Sequence, residues 1–180
     1  MAVVHKSVLV GYSAEQMFAL VDRVEDYPKF LPWCGGVDVI KREGNVLVAT
    51  LKINYHGVRQ SFTTENTNTP PTSMTMRFVD GPFRHFEGNW TFKPLRADAC
   101  KVEFDLAYEV SDSVLDRMAA KAVDVVARAM MDAFVRRAEA TLPLIGVPAA
   151  VPLLAPPLAA VVPVECVATV PATDAVQNGT

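Results

Sequence analysis

Lys101-Val-Glu-Phe-Asp-Leu-Ala-Tyr-Glu-Val110 alternates along its whole length, with Val102, Phe104, Leu106, Tyr108 and Val110 on one side and Lys101, Glu103, Asp105 and Glu109 on the other. A period of two places successive side chains on opposite faces of a strand, so this strand has one apolar and one charged face. The pattern recurs upstream. Phe86, Gly88, Trp90 and Phe92 oppose Glu87, Asn89, Thr91 and Lys93, and Met74, Met76 and Phe78 oppose Thr75 and Arg77. Val58 to about Thr67 carries Phe62 inward and Arg59, Thr63 and Glu65 outward. Leu47, Ala49, Leu51, Ile53 and Tyr55 alternate with Val48, Thr50, Lys52 and Asn54, while Val37 and Val39 begin a strand that ends near Gly44. His56-Gly57, the loop Asn68–Thr72 and Asp80-Gly-Pro-Phe83 join these runs with no helix between them. An antiparallel meander with one apolar face follows.

Beyond Val110 the period changes. Over about Asp112 to Leu142 the polar positions Arg117, Lys121, Asp124, Arg128, Asp132, Arg136 and Glu139 advance by three and four. Leu115, Met118, Ala122, Val126, Ala129, Met130, Ala133 and Phe134 share the opposite face, with Ser111 or Asp112 as cap. A helix with so wide an apolar face must lie across something apolar. Upstream, residues 2–11 read as a strand. Ser13 with Gln16 reads as a capping box for a helix over about 14–24, which buries Met17, Leu20, Val21 and Val24. Asp26-Tyr-Pro-Lys-Phe-Leu-Pro-Trp-Cys34 then packs three aromatics, Leu31 and two prolines into one short stretch. Pro28 and Pro32 restrict their own φ and the residues before them, so this reads as a broken helix or elbow that presents Phe30, Leu31 and Trp33 as a wedge.

The chain has 180 residues, 51% of them hydrophobic, and a net charge of −3. That balance argues against a general DNA-binding role, which calls for a strongly basic surface. A local basic patch for a ribosome stays open. Cys34, Cys100 and Cys166 show no metal-ligand spacing and no disulfide framework, as expected of a reducing cytoplasm. The N-terminus lacks the apolar run of a signal peptide. Residues 143–180 contain no Lys or Arg and only Glu165 and Asp174 as acids, in a background of Ala, Val, Leu and Pro. Prolines at 143, 148, 152, 156, 157 and 163 break any membrane-spanning helix there. The expected organisation is a domain over 1–142 and a disordered, polyproline-like tail over 143–180.

Polar chemistry is sparse. His5, His56 and His85 are dispersed, Cys34 reads as a small buried hydrophobe, and no phosphate-binding glycine loop or nucleophile turn occurs. No catalytic or metal site is expected, and the protein reads as a non-enzyme. Phe30, Leu31, Trp33, Leu51, Phe62, Met76, Phe83, Trp90, Phe104, Met130 and Phe134 are the candidate ligand-binding residues. Each could simply fill a core, but a curved sheet facing one long helix leaves space that flexible Met and flat rings are suited to line. The elbow and the Asp80–Phe83 turn are the expected mouth.

The order strand, helix, broken helix, six-stranded meander and long helix resembles the α+β helix-grip (START/Bet v 1-like) fold, a curved antiparallel sheet wrapped around a long C-terminal helix. Leu20–Cys34, Phe62-Thr-Thr-Glu-Asn66, Asp80-Gly-Pro-Phe83, Gly88–Leu95 and Asp132–Ala138 narrow the match. They resemble the coenzyme Q-binding START-domain family, whose bacterial members are also described as ribosome-association toxins. The resemblance covers about residues 2–140 and departs at Met118–Val126, where smaller residues replace bulkier apolar ones. It implies ubiquinone, or another polyprenyl quinone, as bound ligand with no further cofactor, and a role in respiratory electron transport. The alternative it implies is docking on the large ribosomal subunit to block subunit association. The expected location is the cytoplasm, with a peripheral position at the inner membrane surface as a variant.

Overall fold

A computed structural model of the chain describes residues 1–110 and 114–143, with the side chains of 114–122 excepted. These residues all fall in one compact unit, Met1–Val147. The expected tail beyond Pro143 and the expected helix cap lie outside the described residues. The elements run β1 (Ala2–Val10), α1 (Ala14–Asp22), a 3-10 helix (Val24–Lys29), β2 (Cys34–Glu43), β3 (Val46–Tyr55), β4 (Val58–Thr69), β5 (Ser73–Asp80), β6 (Phe83–Arg96), β7 (Ala99–Val110) and α2 (Val114–Thr141). The seven strands form one antiparallel sheet in the order β1-β7-β6-β5-β4-β3-β2. The meander is therefore as its alternation predicts, and β1 adds to its far side by pairing with β7. With α2 against the sheet, this is the helix-grip architecture.

Local chemistry explains the element ends. Ser13 Oγ accepts from the Gln16 amide at 3.2 Å, and Gln16 Oε1 accepts from the Ser13 amide at 3.0 Å, which completes the capping box. Such a cap contributes about 1 kcal/mol. Pro28 lies inside the 3-10 helix, where the expected elbow stands. His56 (φ 46°) and Gly57 (φ 83°) make the β3–β4 turn with two left-handed residues, the geometry that matches the twist of the strands it joins. At the β5–β6 turn Gly81 has φ 137°, and a Cβ there would lie 2.7 Å from Phe62 Cβ. Only glycine fits.

Strand β4 runs further than its sequence suggests. Asn68 and Thr69, expected in a loop, pair with Met74 and Ser73, so the turn contracts to Pro70-Pro71-Thr72, with a cis bond between the prolines. Asn68 is held there because its Nδ2 donates to Asp22 Oδ1 at 2.6 Å. Arg42, expected on a merely solvated face, also reaches Asp22. Its Nη1 donates to both carboxylate oxygens at 3.1 Å, and its Nη2 donates to Glu25 at 3.2 Å. This cluster ties β2 and β4 to the end of α1. Thr63 points outward as expected yet is buried, because Thr50 covers it with its Oγ1 2.8 Å away.

The core fills the space between the inner sheet face and the two helices. Met17 and Val21 of α1 and Val126, Ala127, Met131, Phe134 and Ala138 of α2 are all buried. Register shifts at Thr63/Thr64 and Phe83/His85 mark bulges, which bend a sheet locally. Among the described residues, no helix is long and apolar enough to cross a membrane.

Candidate functional site

Between α2 and the inner sheet face lies an apolar cavity of about 50 Å³. It is small as the side chains stand, so a guest larger than a few water molecules enters only if lining side chains move. Leu51 and Ile53 of β3, Phe62 of β4, Met76 of β5, Trp90 of β6 and Phe104 of β7 form the sheet wall, with Val123, Val126, Ala127 and Met130 of α2 opposite. Val24 and Tyr27 of the 3-10 helix close one side. The alternation that makes each strand also delivers these side chains, because inward positions recur every second residue.

Of the eleven residues expected to bind a ligand, the structure brings six to this cavity: Leu51, Phe62, Met76, Trp90, Phe104 and Met130. The other five do not line it. Phe83 borders a separate small pocket with Val58, Pro82 and Val123. Leu31 and Trp33 are packed into the core at 1% and 5% exposure, while Phe30 is half-buried, so two of the three expected wedge residues point inward. The wedge backbone is used too, since the Trp33 carbonyl accepts from the Asn54 amide at 2.8 Å.

Phe134 and Phe30 act behind the wall. Phe134 meets Trp90 edge-on with centroids 5.3 Å apart, and Tyr27 and Phe30 at 5.2 Å each. Trp90 in turn lies 4.5 Å from Phe104. Phe30 also carries the Arg137 guanidinium over its ring at 5.3 Å. This aromatic chain runs from the elbow to the cavity wall, and each edge-on pair contributes about 0.5–1.5 kcal/mol beyond area burial. A second cluster joins Phe62, Phe83 and Phe86, with centroids 5.1–5.5 Å apart.

Sequence reasoning missed Tyr27, Phe86 and Leu106 as lining residues, and with them two polar ones, Thr64 and Asn66. The signal was available, since Thr64 and Asn66 follow Phe62 at the inward period of two. Their polarity concealed it. Tyr27 is buried with its hydroxyl donating to the Val21 carbonyl at 2.6 Å, and burial raises its pKa. Asn66 is 4% exposed and its Oδ1 is buried with no hydrogen-bond partner.

The remaining titratable groups have structural explanations. Burial raises the Cys34 thiol, which donates to the Gly36 carbonyl at 3.6 Å, and pushes Cys100 up to about 11. Both are inert small hydrophobes in this state. His5 pairs across the β1–β7 ladder with Asp105 on the outer surface. Among the described residues, no cluster of His, Cys, Asp and Glu could hold a metal ion.

The family described as "Polyketide cyclase / dehydrase and lipid transport" matches residues 10–135. A Vibrio cholerae protein named "Ribosome association toxin RatA" is 42% identical over 136 residues, covering 76% of this chain and 94% of that protein. The Xenopus laevis "Coenzyme Q-binding protein COQ10 homolog B, mitochondrial" is 29% identical over 74% of this chain and 56% of that longer protein. The crystal structure of Zhui aromatase/cyclase from Streptomyces superposes with a TM-score of 0.71 at 17% identity, covering 81% of this chain and 98% of that one. A START superfamily protein from Mycobacterium smegmatis gives 0.66 at 24% identity over 77% and 97% of the two chains. These two likenesses carry the fold.

Proposed function

The chain belongs to the polyketide cyclase/dehydrase and lipid transport family, and on that premise we propose that it is a non-enzymatic binding protein for an apolar small molecule of the polyprenyl quinone class. The observation that carries this reading is the apolar cavity, walled mainly by aromatic, aliphatic and methionine side chains. Burying an isoprenoid guest there contributes roughly 25 cal/mol per Å² of apolar area removed from water. Met76 and Met130 are flexible enough to move aside for a flat ring. The coenzyme Q-binding name of one relative supports the quinone class. Binding is favoured over catalysis because the described lining residues include no acid–base pair.

Two measurements test the proposal. Protein purified from its own host is extracted with organic solvent and analysed by mass spectrometry, and quinone is expected in the extract. A short-chain quinone should also quench the Trp90 fluorescence saturably in a Trp33→Phe background. Absence of both signals overturns the proposal.

A second reading has its own support, since relatives named as ribosome association toxins match over 86–94% of their length at 34–42% identity. It places this chain on the large ribosomal subunit, where charge contacts would make binding strongly salt-dependent. Co-sedimentation with ribosomes in low-salt gradients is the expected result, and its absence would remove this reading.

A further inference from the structure

Four strands contribute to one row across the inner sheet face. Asn66 of β4 pairs with Met76 of β5, Met76 with Gly88 of β6, and Gly88 with Leu106 of β7. In this row Asn66 is the one polar side chain, and its Oδ1 is buried without a partner while the residue lines the cavity. An amide oxygen taken out of water and left unpaired is destabilising, so nearly all such groups are satisfied by protein, water or ligand. Thr64, 2% exposed, lies two residues back on the same face and also lines the cavity. A strand that only filled a core would carry Val or Ile at both positions. Asn68, two residues further on, also has a buried Oδ1 without a partner, but its Nδ2 is tethered to Asp22 and it is absent from the cavity wall, so of the two only Asn66 borders space a guest could enter.

The row also contains a place that can open. Gly88 has no side chain, and the Met76 Cε lies 2.3 Å from where its Cβ would be. The floor beside Asn66 is thus covered by the end of a flexible thioether, which a rotamer change can lift.

We propose that Asn66, with Thr64 beside it, is the polar recognition point of the cavity and selects a guest whose ring carries a hydrogen-bond donor, a phenol or hydroquinone hydroxyl. The proposal rests on the apolar-cavity reading above. The guest's hydroxyl donates to Asn66 Oδ1, its ring displaces the Met76 methyl over Gly88, and its isoprenoid chain follows the aromatic wall toward Trp90 and Phe104. An ester or ether end has no proton to donate and leaves the amide oxygen unpaired.

The test uses the full chain and two probes, a prenylated phenol and its methyl ether, with affinities read by Trp90 quenching in the Trp33→Phe background. The phenol is expected to bind roughly five- to tenfold tighter, the fold-change of one neutral hydrogen bond. Asn66→Leu should bring that ratio to about one and retain the affinity for the ether, and Thr64→Val should reduce the ratio less. Equal affinities in the parent protein, which needs no further variant to fold, overturn the proposal and leave the apolar cavity standing. A preference that survives Asn66→Leu overturns it too. If neither probe nor a short-chain quinone binds, the cavity reading itself falls and this inference falls with it.

Discussion

Gly81→Ala is expected to be among the most damaging single-methyl changes available in this fold. Two independent penalties apply. At φ 137° the residue occupies backbone space that L-residues rarely adopt, and holding one there costs about 1–3 kcal/mol. The added Cβ would also lie 2.7 Å from Phe62 Cβ, 3.0 Å from Phe62 Cα and 3.1 Å from the Ser61 carbonyl oxygen. Two of these are backbone atoms of a paired strand and cannot rotate away, so the overpacking adds roughly 1–3 kcal/mol. The expected total is about 4 kcal/mol, a large share of the ~5–15 kcal/mol that holds a domain folded. Gly44→Ala is the internal control, because Gly44 has φ 57° with nothing within 4 Å of its Cβ position. It carries the left-handed penalty alone, about 1–2 kcal/mol. Urea unfolding of the two variants against the parent isolates the steric part. If Gly81→Ala costs no more than Gly44→Ala, the close approach of the β5–β6 turn to Phe62 is wrong. Because Phe62 lines the cavity, Gly81→Ala should also weaken quinone quenching of Trp90, which Gly44→Ala should leave unchanged.

Trp33→Ala should lower stability by about 3–5 kcal/mol, the cost of emptying a buried aromatic site, yet leave ligand affinity per folded molecule within about twofold, since Trp33 lies off the cavity wall; a larger loss of affinity would make it a gate. Lys93 and Lys101 hold the Glu103 carboxylate at 2.6 and 2.7 Å and lower its pKa from 4.5 to about 2. A depressed carboxylate pKa stabilises the folded state above the unfolded value, and the contribution disappears as pH falls from about 4.5 to about 2. Glu103→Gln should therefore flatten the acid limb of a stability–pH profile, and an unchanged slope would show the bridges to be inert. In a Cys166→Ser background, Cys34 and Cys100 should react with a thiol reagent at pH 8 only after denaturant is added. Both are buried with raised pKa values, so a rapid native-state reaction of either would contradict the packing around them.

The fold was legible because its determinants are local. The alternation of Lys101–Val110 and its upstream counterparts is a statement about which side of a pleat each residue occupies, and it needs no knowledge of the partner strand. The Ser13–Gln16 box and the Pro28 elbow are set by atoms within a few residues of one another. Thus α1, the broken helix after it, the meander and the long helix α2 all stand where the periods and punctuation place them. Where the reading fell short, a distant partner intervened. Asn68 joins a strand because Asp22 holds it, and Arg42 leaves the solvated face for Asp22 and Glu25.

The candidate site was half legible, and the reason is geometric. Periodicity sorts residues into inward and outward, but filling a core and lining a cavity are both inward fates. Which applies depends on the local gap between α2 and the sheet, a distance that no segment encodes alone. Trp33, Leu31 and Phe134 look no different in sequence from Trp90, Leu51 and Phe104. The first three are sealed in the packing, whereas the second three border open space. Thr64 and Asn66 show the converse. Their inward register was set by the β4 sequence, but only the tertiary structure shows Asn66 lining that space with its amide oxygen buried and unpaired. The sequence by itself determined the strand faces, the helix caps and an apolar interior. The separation of α2 from the curved sheet, summed over contacts far apart in the chain, decided which of those inward residues are left with room beside them.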